Sequence, residues 1–267
     1  MGWLKIFGIG HKSCKLVSKL SPLIRKTWGY ESGDKNNRCI EKSDLICIKG
    51  VRNLNLLSKY VQPGSHGWFV LDEGPAFQQI FKFAWGEIRE KLDYCLVFHI
   101  SRLVDKSFYY ELLAYKDLIA PDSINHLIEI IDETGLDTKT TAFSVLKGLF
   151  YLMLVPSLIC IDFADIKRVF SHSFLIKATS LNFNFANYKS VLDGWLCKLN
   201  SQPKFLLVAV FGSSSATLDE IYEIIGYLIT EITRMGEDFK RDEDFCWSCF
   251  VEDDLPQNYY QLSLFWA

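Results

Sequence analysis

This chain is poor in histidine, in phosphate-cradling glycine motifs and in long apolar runs. Its 267 residues include five histidines. His11, His66, His99, His126 and His172 stand far apart, with no H-E-x-x-H or similar ligand spacing, so no metal site is predicted. No Walker A glycine–lysine pair occurs. The longest apolar run, Leu149 to Ile161, is interrupted by Pro156 and is too short to span a bilayer. Met1 to Gly10 lacks the apolar core of a signal peptide. Met1-Gly2-Trp-Leu-Lys-Ile6 also lacks the hydroxyl residue of a myristoylation signal. These absences predict a cytoplasmic chain with no membrane insertion. Eight cysteines are scattered without a framework, as in a reducing compartment. Cys246-Trp-Ser-Cys249 is a C-x-x-C, but it lies in a strand pattern. Residues three apart on a strand face opposite ways, so redox or metal chemistry is not predicted there.

What is present is the composition of an ordinary globular protein: 49% hydrophobic and 23% charged residues. Net charge is -3, so no bulk attraction to nucleic acid is implied. The charge is unevenly placed. Met1 to Tyr60 holds 12 Lys/Arg against 4 Asp/Glu, and Gly236 to Pro256 holds 2 against 8. Opposite signs toward the two ends fit either plain solvated surface or a polar protomer able to stack head to tail.

Along the chain, Trp3 to Phe7 reads as a strand running through Gly8-Ile-Gly10 into a helix at Ser13 to Leu20. A strand, a glycine turn and a helix form the general phosphate-cradle layout. Position 13 is Ser13, where a dinucleotide fingerprint requires a third glycine. Glu31 to Lys42 is a polar loop, and Asp44 to Ile48 a second strand. Gln62 to Gly67 is a turn cluster, and Pro75 to Leu92 is amphipathic at helical spacing. Tyr94 to Phe98 is a buried strand. A short strand (Leu118 to Ala120) and a helix (Ser123 to Asp132) follow. Leu136 to Val155 is a central apolar helix, stopped by Pro156. Beyond it the chain alternates: strand Phe174 to Leu181, helix Asn187 to Leu199, strand Phe205 to Phe211. A capping box at Thr217-Leu-Asp-Glu220 opens another helix, ended by Gly236. Phe245 to Val251 and Tyr259 to Trp266 read as two strands paired across the acidic turn Glu252-Asp-Asp254.

Asp162 and Asp165 open a helix three residues apart, which puts both carboxylates on one face of its first turn. There they meet the positive helix end and its unpaired N–H groups. A plain acidic N-cap accounts for that spacing. The surrounding Pro156-Ser-Leu-Ile-Cys-Ile-Asp-Phe-Ala-Asp-Ile-Lys-Arg-Val169 resembles the loop-plus-helix signature of the FtsZ branch of the tubulin superfamily. Those proteins are cytoskeletal GTPases that build the division ring. The resemblance implies that this loop reaches toward the nucleotide of the next subunit, with Asp162 and Asp165 positioning the attacking water. Cys160 stands in place of the family's asparagine. Ser144-Val-Leu-Lys-Gly148 resembles the family's D-V-L-K-G, and Phe143 replaces its guanine-reading asparagine. The element order after Asp165 resembles the family's C-terminal domain.

The family's phosphate loops fare differently. Gly8 and Gly10 match its first loop, but His11, Lys12, Ser13 and Lys15 replace glycines and an asparagine. Lys12 could touch a phosphate there, and a plain surface lysine accounts for it equally. Lys49-Gly-Val-Arg-Asn53 stands where the family has N-T-D-x-Q. Gln62 to Gly67 matches in place a glycine-rich loop. His99-Ile-Ser-Arg-Leu-Val-Asp-Lys-Ser-Phe-Tyr-Tyr110 stands where the family has G-G-G-T-G-T-G, and it contains no glycine. A loop that hugs phosphate needs φ > 0 and close backbone approach, which Leu103 and Val104 resist.

The fold expected is therefore α/β. A trimmed Rossmann-like domain of tubulin/FtsZ type spans 1–135, a central helix 136–156, and an α/β domain with a mixed four-stranded sheet 157–267. Three functions fit. One is an FtsZ-like division protein without its own GTP site, a pseudo-GTPase that docks on or caps FtsZ-type filaments through Asp162 and Asp165. The second is a divergent active GTPase holding GTP or GDP with magnesium through Gly8, Gly10, Lys12 and Arg102, and forming head-to-tail filaments. The third is a nucleotide-independent scaffold in which Asp162 and Asp165 only cap. The first and third expect no cofactor and little or no GTP hydrolysis. The expected partner is an FtsZ-type subunit or a second copy, head to tail.

Overall fold

A computed structural model of the chain describes residues 4–9, 11–27, 44–48, 61, 63–71, 91–100, 126–132, 138–157, 159, 161–236 and 238–267. The chain divides into two compact units, Met1–Ile130 and Ile131–Ala267.

The first unit is built on parallel strands. These are β1 (Leu4–Ile9), β2 (Asp44–Ile48), β3 (Ser65–Leu71), β4 (Leu92–Ile100) and β5 (His126–Ile130), in the order β2-β1-β3-β4-β5. All four pairings are parallel. Parallel strands are buried on both faces, hence their near-continuous apolar sequences. Ile6, Phe7, Trp68, Val70, Leu96, Phe98 and Ile128 are fully buried. Phe7 stacks on its register partner Phe69, with ring centroids 4.8 Å apart. Helix α1 (His11–Thr27) packs on β1, β2 and β3. It runs past the expected end at Leu20 and includes Pro22.

Two expectations in this unit are corrected. Of the turn cluster at 62–67, Pro63 and Gly64 form a turn, where Gly64 has φ 81°, and strand β3 begins at Ser65. Gly67 lies inside β3, where a Cβ would sit 2.9 Å from the Phe69 ring and 3.0 Å from Leu92. Its glycine therefore serves packing. The predicted helix at 123–132 contains strand β5 instead. A short apolar run such as His126-Leu-Ile-Glu-Ile130 does not distinguish strand from helix by period. Pairing with β4 decides it. The polar loop at 31–42, the amphipathic segment at 75–90 and the strand at 118–120 lie outside the described residues.

The second unit carries a four-stranded mixed sheet in the order β6-β9-β7-β8. Its strands are β6 (Leu175–Asn184), β7 (Leu206–Gly212), β8 (Phe245–Val251) and β9 (Tyr259–Trp266). β9 runs antiparallel to both β6 and β7, while β7 and β8 are parallel. The hairpin expected between β8 and β9 is thus overturned. β7 is buried at every residue and β9 throughout Leu262 to Trp266, so both take central places and β8 goes to the margin. Parallel β7 and β8 need a crossover, supplied by α5 (Leu218–Arg234) and the short α6 (Arg241–Asp244).

Helices cover both faces of this sheet. Helix α4 (Tyr188–Leu196) and α5 bury Leu192, Trp195, Ile221, Ile224, Leu228 and Ile232 against Val208, Val210, Leu262 and Leu264. Helix α2 (Thr138–Leu154) lies on the other face, tightly seated on β9. Gly148 is why: a Cβ there would lie 2.4 Å from the Ser263 Cβ. The Ser263 hydroxyl donates to the Ser144 carbonyl at 2.9 Å, and Gln261 Nε2 donates to Ser144 Oγ at 3.0 Å. Nearby, the buried side chains of Lys147 and Glu252 form an ion pair. The Lys147 ammonium also lies 4.4 Å from the Phe211 ring centroid. Burial, and secondarily the Glu252 carboxylate, push the Tyr151 hydroxyl up to about 12.

Candidate functional site

Helix α3 (Phe163–Phe170) carries the paired aspartates at its start. Its apolar face, Ile166, Val169 and Phe170, is buried; Phe170 packs between Phe205 and Phe265. That anchoring leaves the opposite face of the first turn in solvent, and Asp162 is exposed there. Asp162 is the N-cap, extended at φ -104° and ψ 173°. The Asp165 N–H donates to Asp162 Oδ1 at 2.8 Å, and the Asp162 N–H donates to Asp165 Oδ2 at 3.1 Å. This reciprocal pair is a capping box with aspartate in the role usually taken by glutamate. Arg168 adds a weak exposed ion pair to Asp165 Oδ1 at 3.5 Å.

The capping bonds leave acceptor capacity. A carboxylate has about four lone-pair sites, and the capping box uses one oxygen of each aspartate. Asp162 thus presents an exposed anionic oxygen beside a helix N-terminus, suited to accept from a water or another chain's donor.

The loop entering α3 is pinned from two sides. Val155 N–H closes the last turn of α2 on the Tyr151 carbonyl at 3.0 Å, and Pro156 follows. The Ile159 carbonyl then accepts from Ser157 Oγ at 2.6 Å and from Ser248 Oγ at 2.7 Å. Ser248 lies on β8, so the sheet margin fixes the loop's path. Arg168 Nη2 reaches Cys246 Sγ, also on β8, at 3.6 Å. Burial raises the Cys246 thiol above its ordinary value, with Arg168 opposing and Asp165 and Asp162 adding to the rise. Ser248 and Cys246 were absent from the sequence-level site, since nothing local links them to a loop some 89 residues away in sequence. Arg168 stands three residues after Asp165, at helical spacing.

Gly8 lies near the C-terminal end of β1, between its register partners Cys47 and Val70. With strand order 2-1-3-4-5, the topological switch point falls between β1 and β3. Open α/β sheets bind ligands outside the strand ends at such a point. Gly8 itself serves helix packing. A Cβ there would lie 2.9 Å from both the Cys14 Cα and the Ser13 carbonyl oxygen. The absent side chain lets α1 press on β1, and Cys14 Sγ donates to the Gly8 carbonyl at 3.2 Å. Gly10 and Arg102 lie outside the described residues, as does the stretch from residue 101 to Tyr110. Lys12 is in α1, with its side chain outside them.

Cys246 and Cys249 are unpaired and buried, on opposite faces of β8. Cys246 faces Arg168, while Cys249 joins the core beneath α4 and α5.

No family model matches the sequence, and no curated protein matches it. Solved structures do match over the whole chain. An empty FtsZ dimer from M. jannaschii aligns with 100% of this chain and 88% of its own, at TM-score 0.66 and 14% identity. A tryptophan-to-tyrosine variant of M. jannaschii FtsZ aligns over 99% and 90%, at TM-score 0.64 and 13% identity. GDP-form protofilaments of Bacillus thuringiensis serovar israelensis TubZ align over 99% and 83%, at TM-score 0.59 and 11% identity. The fold of this chain is the FtsZ/tubulin type. Its likeness to FtsZ and TubZ extends over essentially all of its length, at very low sequence identity.

Proposed function

We propose that the protein is an FtsZ-like pseudo-GTPase that docks on FtsZ-type filaments through the Asp162/Asp165 loop. One observation carries this reading. An FtsZ-type fold over the full chain presents Asp162-Phe-Ala-Asp165 on a solvent-facing first helical turn, while the sequence after β3, the neighbour of β1 at the switch point, has only Gly74 between Asp72 and Ala84, and the sequence after β4 has no glycine from Ser101 to Tyr110. A head-to-tail filament needs a nucleotide face and an acidic-loop face on each subunit. This chain keeps the second and lacks the glycines for the first. Docked on an intact subunit's GTP, it would supply the carboxylates that orient the attacking water. It would then offer no nucleotide to the next subunit, and so cap the end.

The test uses the capping geometry. In Asp162→Asn/Asp165→Asn, the amide oxygens still accept the capping bonds, so the helix stays, but both charges go. Added to a purified bacterial FtsZ polymerising with GTP, the wild type should alter GTP turnover and filament length at substoichiometric ratios. The double variant should lose that effect. Equal effects from the two proteins would leave Asp162 and Asp165 as plain caps, and the protein as a nucleotide-independent scaffold.

A divergent active GTPase is the second reading. It is favoured by the retained β1–Gly8–α1 layout at the switch point of a parallel sheet. Guanine nucleotide co-purifying with the chain distinguishes it from the first.

A further inference from the structure

Docking through Asp162 and Asp165 brings two carboxylates up to a partner's nucleotide, which is itself anionic. Like charges set against each other across an interface repel, so a cation is needed beside the pair. Helix α3 carries two, Lys167 and Arg168. Lys167 stands one turn after Phe163, and its ammonium lies over the Phe163 ring, 4.7 Å from the centroid. Arg168 stands one turn after Asp165 instead, and its side chain is 49% exposed.

Arg168 is held in place with donors to spare. One nitrogen makes both of its polar contacts: Nη2 lies 3.5 Å from Asp165 Oδ1 and 3.6 Å from Cys246 Sγ. The first is long and in solvent, so it binds the group weakly. The second is to a thiol, a weak acceptor. A guanidinium presents its N–H donors as a rigid fork. Among the described residues, nothing accepts from Nε or Nη1. The Cys246 contact also keeps the guanidinium beside the acids, against the β8 margin. Arg168, Asp165 and Asp162 all act electrostatically on that one thiol, which places the three charges in a single neighbourhood. A fork with free donors, next to a carboxylate pair on an exposed helical turn, suits the oxygens of a phosphate, which accept from such a fork in pairs.

We propose that Arg168 is a phosphate-contacting residue of the docking face, reaching the terminal phosphate of a nucleoside triphosphate held by the partner subunit. This contact rests on the docking proposed above and adds a preference to it: a triphosphate-loaded partner over a diphosphate-loaded one. It also offsets the charge of the two aspartates as they approach the nucleotide.

The experiment follows binding of the labelled full chain to purified FtsZ by fluorescence anisotropy. The FtsZ is kept below its polymerising concentration and loaded with either GDP or a non-hydrolysable GTP analogue. The wild type should bind the triphosphate-loaded form about tenfold more tightly or better, as a charge-assisted hydrogen bond to the extra phosphate gives. Arg168→Ala should bring that ratio close to one. Arg168→Lys keeps the charge but not the fork, and should recover part of it. Urea unfolding of both variants should match the wild type, since an exposed ion pair contributes little to stability. Wild-type binding to both forms without preference would remove the Arg168 contact and leave docking standing. An Arg168→Ala chain that keeps the preference overturns the proposal as well. So does one that weakens on both forms alike, which would make Arg168 a positioning residue acting through Asp165. A wild type that binds neither form removes the docking itself, and this contact with it.

Discussion

Replacing Gly148 by alanine should destabilise the second unit, although alanine is the better helix former. At an exposed helical site the change would gain about 1 kcal/mol. Here an added Cβ would lie 2.4 Å from Ser263 Cβ and 2.5 Å from Ser263 Oγ, where carbon contacts normally rest at about 3.5–4.0 Å. Ser263 is fully buried on a central strand, and its hydroxyl is committed to the Ser144 carbonyl. The clash is therefore relieved only by lifting α2 off β9. Overpacking of this kind costs about 1–3 kcal/mol, and a lost buried hydrogen bond about 1 kcal/mol more. Set against the propensity gain, the net loss is about 2 kcal/mol. Gly194 in α4 and Gly226 in α5 are the controls, since nothing lies within 4 Å of a Cβ at either. Alanine at those positions should stabilise by about 0.5–1 kcal/mol. Urea unfolding of the three variants, followed by tryptophan fluorescence, measures the contrast. If Gly148→Ala proves as stable as Gly194→Ala, the tight seating of α2 on β9 is wrong. Because α2 leads into the aspartate loop, the seat also sets where that loop begins.

Two further predictions concern charge. Lys147→Met should cost about 3–5 kcal/mol in urea unfolding near neutral pH, because it strands the buried Glu252 carboxylate; adding Glu252→Leu should recover most of it. Glu220 is held below its ordinary value, first by the Thr217 backbone N–H and then by the Tyr260 hydroxyl. The stability it contributes is present above the ordinary carboxylate pKa and is lost as pH falls through its lowered one. Glu220→Gln keeps the capping geometry, so its urea midpoint should fall short of the wild type's near neutral pH, and the gap should close under acid.

Local signals carried much of the second unit. Periodicity and caps located α2, α4 and α5, and the Thr217–Glu220 capping box formed as its spacing implied. The unbroken apolar run at 206–212 became the fully buried β7. Pairing was less legible. β8 and β9 are adjacent in sequence with an acidic turn between them, and that pattern cannot reveal that β9 is drawn between β6 and β7 by burial on both faces. β3 was hidden because Gly64 and Gly67 look alike in sequence, yet one turns the chain and the other packs inside a strand. The spacing of Asp162 and Asp165 was plain from the start. The Ser248 and Ser157 hydroxyls that fix their loop were not, since the Ile159 carbonyl that receives both is a backbone atom.

The central question is whether this chain holds a nucleotide of its own. Calorimetric titration of the purified, nucleotide-stripped chain with GTP and with GDP, in the presence of magnesium, addresses that most directly. No binding is expected, because the stretches after β3 and β4 lack the run of glycines that wraps phosphate. Saturable binding at micromolar concentration would contradict it, and would make Asp162 and Asp165 the candidate catalytic pair of a working GTPase.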